Sequence, residues 1–308
     1  MIEKYYNGVI EQVAGGIGNV EHNSILVRYS NDFSIWDLES VNHYKDQTDI
    51  FFTCHEFSYN KIAEAYEPYL GLIRQMFHKY CSGTLEEFME ECDVYKLQRP
   101  VFESYFEKGF CERTEQILID EVEYEQERMR NSLVTMLQKL SEIRPVVIVL
   151  NRFQLASKST MQLSNSLLQV KNKNIGIVLG VNDVQSIPEF AHEEWDAICE
   201  SMDDRNMVYH IGNAGRNMEP DVMDYYSDYE SDDGYRKLNN LVYFLDFDQA
   251  DHHLSKIERR IKFDNFTISE KKHYQLLLLQ IMVSVLQRDI AKALESCEDC
   301  LLYTSDAA

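Results

Sequence analysis

The sequence predicts an α/β fold, with a parallel sheet and flanking helices, that is followed by an all-α segment of helical repeats. Over the first 215 residues, apolar runs typical of buried parallel strands alternate with amphipathic helical patterns. Beyond residue 235 only helical patterns remain. At 308 residues, of which 44% are hydrophobic, the chain is long and apolar enough for two domains with separate cores.

The N-terminal half is expected to combine two strands with several helices. The strands are 24–28 and 49–53. Helices are predicted over 3–13, 61–80, 84–91 and 112–141, and the third of these is capped by Ser82 or Thr84. The long helix 112–141 places its apolar residues inward: Ile117, Val122, Met129, Leu133, Met136, Leu137 and Leu140.

The clearest strand is the run VVIVL at 146–150, which follows a proline. A strand buried on both faces needs no alternation of polar and apolar residues, so this run is expected at the centre of a parallel sheet. We expect it to lie between the strands 24–28 and 175–181. The elements that complete this part are helices over 158–170 and 187–201 and a strand over 207–211.

Two polar residues, Asn151 and Arg152, follow this strand at its carboxyl end, where α/β folds place reactive groups. The run VVIVLNRFQLAS at 146–157 resembles the Walker B region of STAND-type ATPases, the AAA-related signalling NTPases that include the MalT-like regulators. In that family two acids hold magnesium and orient a water molecule. Asn151 and Arg152 stand in the place of those acids, and neither residue can do this chemistry.

The same resemblance places the phosphate-binding loop after strand 24–28. Tyr29 and Ser34 take the glycine positions, Ile35 the lysine position and Trp36 the hydroxyl position. A phosphate loop needs glycines for its backbone cradle and a lysine for charge neutralisation. These roles are lost here. The glycine-rich run 15–19 has no lysine and precedes the strand, so it is expected to form a turn.

Three further landmarks support the resemblance, which covers about residues 1–215. They are Cys54-His55-Glu56 after the second strand, the helix start at Tyr66–Leu70, and Asn182 at the end of the sensor-like strand 175–181. Without a phosphate loop, Asn182 is expected to close a turn. The resemblance implies a P-loop-NTPase-like sheet that no longer hydrolyses nucleotide and holds no cofactor. An unrelated α/β domain and an active ATPase with an atypical phosphate site remain alternatives.

The remainder of the chain is predicted to be an acidic linker, 216–234, and a helical-repeat segment, 235–300. Between residues 219 and 233 the sequence has seven acids and no base, which indicates a solvated connector or a docking site for a basic partner. Helices over 246–261, 269–286 and 289–301 resemble tetratricopeptide repeats, in which Ala250 and Ala293 would pack between helices. Protein partners are expected to bind these repeats. A purely structural scaffold is the alternative.

The last eight residues, 301–308, resemble a translated sequencing adapter. The resemblances together imply the N-terminal part of a larger bacterial-type signalling protein, with either a DNA-binding or a diguanylate cyclase output domain. A truncated repeat array leaves its last face uncovered. The stripe of Ile290, Leu294, Cys297 and Leu301 is therefore expected to be partly exposed and to promote self-association.

Composition excludes several function classes. A formal net charge of −22 repels nucleic acid and anionic membranes. The N-terminus lacks the apolar segment of a signal peptide, and no apolar run is as long as a membrane span. Seven scattered cysteines, an odd number, indicate free thiols in a reducing compartment. A cytoplasmic protein is expected.

The other motifs that could carry chemistry have structural interpretations. Cys297-x-x-Cys300 lacks a second cysteine pair, which makes packing more plausible than a metal site. His252-His253, Glu90-Glu91 and Glu193-Glu194 are expected to be solvated surface. Cys54 and His55 are adjacent on a strand and so face opposite ways, and no third residue that could orient them is identifiable.

Overall fold

The structure is a computed structural model of two compact units. It describes residues 2–21, 23–30, 34–45, 47, 49–58, 61–111, 122–183, 187, 189–205, 207–211, 231–263 and 267–305, without the side chains of 189 and 301–305. The first unit comprises Met1–Tyr59, Tyr66–Val94 and Arg130–Val222, and the second comprises Asn60–Ala65, Tyr95–Met129 and Met223–Ala308.

The first unit is built on a sheet of five described strands that all pair in parallel, in the order β2-β3-β4-β1-β5. The strands are β1 Ser24–Tyr29, β2 Phe51–Glu56, β3 Val146–Asn151, β4 Ile175–Asn182 and β5 Val208–Ile211. The predicted α/β fold with a parallel sheet is therefore confirmed.

Helices connect these strands, and most of them were predicted from apolar spacing. They are α1 Ile2–Gly16, α2 Glu39–Lys45, α3 Tyr69–Tyr80, α4 Leu85–Glu91, α5 Arg99–Lys108, α6 Val122–Ile143, α7 Lys158–Gln169 and α8 His192–Asp203. Helix α5 belongs to the second unit and was not predicted, and α6 contributes residues to both units. Of the two proposed caps for α4, the structure selects Thr84, whose hydroxyl accepts the Glu87 N–H.

The predicted neighbours of β3 are partly wrong. All five of its apolar residues are fully buried, as expected, but β3 lies between β2 and β4, and β4 separates it from β1. An apolar run encodes burial on both faces and does not encode which strand lies alongside. The order of the strands in the sheet is therefore not predictable from such a run.

Helix α1 packs directly against the backbone of β4 because two glycines lie on the same face of that strand. A Cβ atom added to Gly176 would lie 2.6 Å from Val13 Cγ1, and one added to Gly180 would lie 2.1 Å from the Tyr6 hydroxyl oxygen. Distances this short are never seen between real side chains and a Cβ atom. The glycines thus set how close the helix comes to the sheet.

Several predicted boundaries in this unit are wrong. The helix predicted over 187–201, for example, is α8 His192–Asp203. The helix predicted over 61–80 begins at Tyr69, after Pro68, because a residue that precedes a proline avoids the helical conformation. Tyr66 also has a positive φ of 55°. The second strand begins two residues later than predicted, at Phe51, where its N–H donates to the carbonyl of Pro145 at 2.7 Å.

The long helix α6 is confirmed over its described part. Val122 is half-buried, and the other inward-facing residues are buried: Met129, Leu133, Met136, Leu137 and Leu140. The predicted start over 112–121, which includes Ile117, lies outside the described residues.

The second unit is helical from residue 232 onward in its described part, as predicted. Its C-terminal helices are α9 Asp232–Tyr243, α10 Phe247–Phe263, α11 Glu270–Leu286 and α12 Ile290–Ser305. Asp232 and Asp233 form the first turn of α9, so the helix begins three residues before the predicted start of the helical segment at residue 235. Acids at a helix N-terminus complement the helix dipole. Residues 212–230 lie outside the described chain.

Asn240 on α9 holds three separate segments of the second unit together. Its side-chain oxygen accepts the Cys111 N–H at 2.8 Å, and its amide nitrogen donates to Glu64 Oε2 at 2.9 Å. Its neighbour Asn239 donates to the carbonyl of Cys111 at 2.7 Å. These bonds explain why the segments around Glu64 and Cys111 belong with the C-terminal helices.

The two alanines that were expected at helix contacts are buried, with exposed fractions of 0% for Ala250 and 6% for Ala293. The expected exposure of the last apolar stripe is confirmed for Ile290 and Leu294, which are 58% and 60% exposed. Cys297 is half-buried, and the side chain of Leu301 is outside the described part. Helix α12 continues to Ser305, through most of the predicted tail.

Within the described residues, no helix combines the length and the apolar character that a membrane crossing requires.

The glycine contact between α1 and β4 gives a first prediction. The substitution Gly176→Ala should destabilise the first unit by about 1–3 kcal/mol, because the added methyl group overlaps Val13. The matched control is Gly8→Ala on the exposed face of α1, where a Cβ has no atom within 4 Å. That change should stabilise the helix by up to about 1 kcal/mol. Urea unfolding of both variants measures the two effects, and equal shifts would contradict the packing argument.

Candidate functional site

The candidate site lies at the carboxyl edge of the parallel sheet. Strand register places Glu56 opposite Asn151 and places Tyr29 opposite Asn182. Four strands thus each place a polar residue at the carboxyl edge of the sheet. Open α/β sheets bind ligands at this edge. The loops that follow these strands supply Ser34, Ile35 and Arg152.

Two of the positions that the resemblance aligns with a degenerate nucleotide site are hydrogen-bonded to each other. The Tyr29 hydroxyl donates to Asn151 Oδ1 at 2.7 Å, and both residues are buried, with exposed fractions of 1% and 0%. The ring of Tyr6 meets the Tyr29 ring edge-on at 6.4 Å, and burial raises the pKa of the Tyr6 hydroxyl well above its ordinary value. Within the described chain, Asn151 Nδ2 has no hydrogen-bond partner. Asn151 therefore belongs to a neutral, buried cluster.

Three other predicted positions converge on the carboxylate of Glu56. Its Oε2 atom accepts from the Ile35 N–H and from the Ser34 hydroxyl, each at 3.3 Å. Its Oε1 atom lies 3.5 Å from Arg152 Nη2. The Glu56 and Arg152 side chains are only 11% and 21% exposed, so their attraction is weakly screened. The largely buried Glu56 carboxylate thus lies against the backbone that follows β1.

Trp36 does not join this cluster. It is 46% exposed, and the ammonium group of Lys45 lies 4.4 Å from the centre of its ring. The backbone N–H of Trp36 donates to the Ser34 hydroxyl, which caps the short 3-10 helix Ile35–Asp37. The residue in the hydroxyl position of the expected phosphate loop is therefore a surface residue.

Asn182 ends β4 and is buried, and its N–H donates to Gln154 Oε1 at 3.2 Å. The turn that was expected at Asn182 begins one residue later. There, the Asp183 N–H donates to the carbonyl of Tyr29 at 2.9 Å, and the Asp183 carboxylate pairs with Arg28 at 2.8 Å. These contacts tie the ends of β1, β3 and β4 together.

Arg152 has left-handed backbone torsions, with φ 53° and ψ 41°. Such a conformation is unfavourable for a residue with a Cβ and is found mostly where the surrounding structure enforces it. It turns the chain from β3 into the short 3-10 helix Phe153–Leu155, which brings the buried Gln154 towards Asn182. The turn thereby directs Arg152 to Glu56.

Cys54 and His55 lie on opposite faces of β2. Cys54 packs at the core cluster beneath α1, whereas the His55 ring lies 4.5 Å from Phe57 and 3.6 Å from the carboxylate of Glu67. No local pattern indicated that this acid lies beside His55. Burial raises the pKa of the Cys54 thiol to about 11, because the lowering effect of Lys45 is smaller and Glu56 also raises the pKa. A thiol with so high a pKa does not provide a nucleophilic thiolate at neutral pH.

The prediction that His252 and His253 are solvated is wrong. His253 is only 4% exposed and is hydrogen-bonded to Gln249 at 2.9 Å. Burial lowers the pKa of His253 to about 3 and that of half-buried His252 to about 4. Both imidazoles are therefore neutral and pack within the helical unit.

Glu194 is also not a solvated charge. Its side chain is 12% exposed, accepts from Gln162 Nε2 at 2.8 Å and lies 3.7 Å from Lys158 Nζ. Glu90, Glu91 and Glu193 are exposed, as predicted.

The two cysteines of the C-x-x-C motif, Cys297 and Cys300, are half-buried free thiols. Across the ranges that the structure describes, no group of three or more His, Cys, Asp or Glu residues is arranged to hold a metal ion.

The sequence did not single out three residues of the site: Glu56, Tyr6 and Gln154. Glu56 was noted only as part of a turn. An acid at the carboxyl end of a strand, with an arginine at the corresponding end of another strand, was the available signal. Tyr6 and Gln154 act through partners that are distant in sequence, so no local pattern could indicate them.

Comparison of the chain with models of known families, with curated proteins and with solved structures finds no significant match.

The Glu56 contacts give a second prediction. The substitution Glu56→Gln keeps the shape of the side chain but removes the charge that faces Arg152, which should destabilise the protein by about 1–3 kcal/mol. The matched control is Glu91→Gln, because Glu91 pairs with Lys139 at 3.1 Å on the surface, with 67% of its side chain exposed. That change should cost less than about 1 kcal/mol. Urea unfolding compares the two variants, and an equal loss would contradict a special role for Glu56.

Proposed function

We propose that the first unit is a STAND-like domain that has lost its nucleotide chemistry, and that this chain is a regulatory module rather than an enzyme. It would relay signals through protein–protein interaction, as the N-terminal part of a larger, cytoplasmic, bacterial-type signalling protein. An output domain that binds DNA or makes cyclic diguanylate is part of this proposal through the resemblance alone.

The position of the Glu56 carboxylate carries the proposal. It accepts the Ile35 N–H and the Ser34 hydroxyl, which are donors from the segment that the resemblance aligns with a phosphate loop. A phosphate at this place would meet a negative charge instead of a lysine. Because like charges repel strongly where little water screens them, Glu56 opposes nucleotide binding at these donors.

The residues in the positions of the Walker B acids do not fit magnesium. Hard cations such as Mg²⁺ select carboxylate oxygens, but Asn151 is a neutral amide whose oxygen already accepts from Tyr29. Arg152 brings a positive charge that is directed to Glu56. Neither residue would hold the ion or orient a water molecule for metal-assisted phosphoryl transfer.

The strand order is compatible with the resemblance. In the order β3-β4-β1, the strand that ends in Asn182 lies between the strand before the expected phosphate loop and the Walker B-like strand. The degenerate positions therefore share one edge of the sheet. This supports common ancestry with a nucleotide-binding fold more than it supports an unrelated α/β domain.

The interaction role rests on the second unit. Helices α10 to α12 bury Ala250 and Ala293, while Ile290 and Leu294 stay exposed on α12. Helical repeats bind partners through the faces that their neighbours leave uncovered. We propose that this exposed face contacts a further repeat or another protein.

Nucleotide binding provides the decisive test of the lost chemistry. Calorimetric titration with Mg-ATP should give no micromolar binding, and a phosphate-release assay should show no hydrolysis, because the lysine and the metal acids are absent. Micromolar binding that disappears in a folded Asn151→Ala variant would contradict the proposal and favour an active ATPase with an atypical phosphate site.

Self-association tests the exposed face of α12. We expect the apparent mass in sedimentation velocity to rise with protein concentration, and the double variant Ile290→Ser, Leu294→Ser to remove most of that rise. The control Tyr5→Ser removes another exposed apolar residue, 60% exposed on α1, and should leave the rise unchanged. A monomeric protein at all concentrations would contradict the uncovered repeat face.

A further inference from the structure

The first unit contains a second feature, away from the strand ends that form the candidate site. A surface cavity of about 530 Å³ lies beside the start of the edge strand β2 and the C-terminal end of α3. Small-molecule sites in proteins typically enclose about 300–1,000 Å³. The cavity is thus large enough for a small ligand.

The charge of this cavity is opposite to that of the chain. The protein carries a net charge of −22, yet the described residues that line the cavity include Lys45, Arg74 and Lys79 and no carboxylate. His78 also lines it. Cations gathered in a concave surface focus a positive potential and attract anions.

Aromatic rings form the apolar part of the same cavity. Phe51 and Tyr80 meet edge-on at 6.1 Å, and Phe52, the next residue of β2, also lines the cavity. The ammonium group of Lys79 lies 5.8 Å from the centre of the Phe51 ring and 5.2 Å from that of Tyr80. Flat apolar surface and positive charge are therefore only a few ångströms apart.

Tyr80 lines the cavity, and two cations, Lys79 and Arg144, lie near its ring. Burial raises the pKa of the Tyr80 hydroxyl, but the neighbouring cations of Lys79 and Arg144 outweigh burial, and the net pKa is lowered. The surroundings thus favour a negative charge on an oxygen atom at the rim of the cavity. An oxyanion from a ligand in the cavity would meet Lys79, which lines it.

We propose that this cavity binds a small phosphate monoester that carries a flat apolar group. The phosphate would lie between Lys45 and Lys79, with Arg74 as a further cation, and the flat group would pack against Phe51 and Tyr80. Lysine and arginine side chains bind phosphate through charge-assisted hydrogen bonds. Such a ligand would be a regulatory input at a place that does not depend on the lost nucleotide chemistry.

Phenyl phosphate is the probe that matches this chemistry. Calorimetric titration of the full chain should show binding of phenyl phosphate that is tighter than that of inorganic phosphate and of phenol. The variants Lys45→Glu and Lys79→Glu should each weaken binding about five- to tenfold, and raising the salt concentration should weaken it in the wild type. Both lysines are exposed, so the variants should keep the wild-type urea midpoint.

Two controls separate the cavity from other sources of binding. Lys171→Glu makes the same charge change on an exposed part of the first unit and should leave the affinity unchanged. Asn151→Ala should also leave it unchanged, which separates this site from any nucleotide site at the strand ends. The proposal is overturned if phenyl phosphate does not bind at millimolar concentration, if phenol or inorganic phosphate binds equally well, or if both lysine variants bind like the wild type.

Discussion

The first unit depends on one constraint: β3 and β4 are buried on both faces, so every polar group at their ends needs a partner inside the protein. Buried polar groups without hydrogen bonds cost free energy, and buried charges cost more. Apart from Asn151 Nδ2, the groups described at these ends are neutral or paired. Asn151 accepts from Tyr29, Gln154 accepts from Asn182, and Glu56 lies against Arg152. The chemistry of the strand ends is therefore determined by burial.

In the second unit, one side-chain amide, that of Asn240, provides hydrogen-bond partners for two other segments. Asn240 supplies both an acceptor and a donor, which join the backbone at Cys111 and the carboxylate of Glu64 to α9. Aromatic packing reinforces the connection, since the Phe244 ring lies 5.8 Å from Phe102 and 5.5 Å from Tyr105. One buried side chain with two kinds of hydrogen-bonding atom can thus organise segments that are more than 100 residues apart in the chain.

Much of the fold could be predicted from the sequence, because its strands and long helices have strong local patterns. The run at Val146–Asn151 and the apolar spacing of α6 are examples. The order of the strands was not predictable, since two-sided burial looks the same for every central strand. The helix start at Tyr69 was missed because apolar spacing continues through Pro68, where the backbone cannot remain helical.

The site was predictable in position but only partly in its contacts. Residues that follow parallel strands must lie at one edge, so Tyr29, Asn151 and Asn182 were expected there. Their pairing was not expected, because a hydrogen bond between Tyr29 and Asn151 spans residues 122 positions apart. The burial of His253 was missed for a similar reason, since its surroundings come from the tertiary packing of the helices.

The bond between Tyr29 and Asn151 also restricts which sequences can be reached by single mutations. An acid at position 151 would put a formal charge where the side chain has no exposure, beside the Tyr6 ring and the backbone of Gly180. The folded state would lose stability before any metal-binding benefit arose, so a lineage that carries this pair would need coordinated changes in two strands to gain such an acid. The pair thus stabilises the sheet and makes an acid at position 151 costly for the folded state.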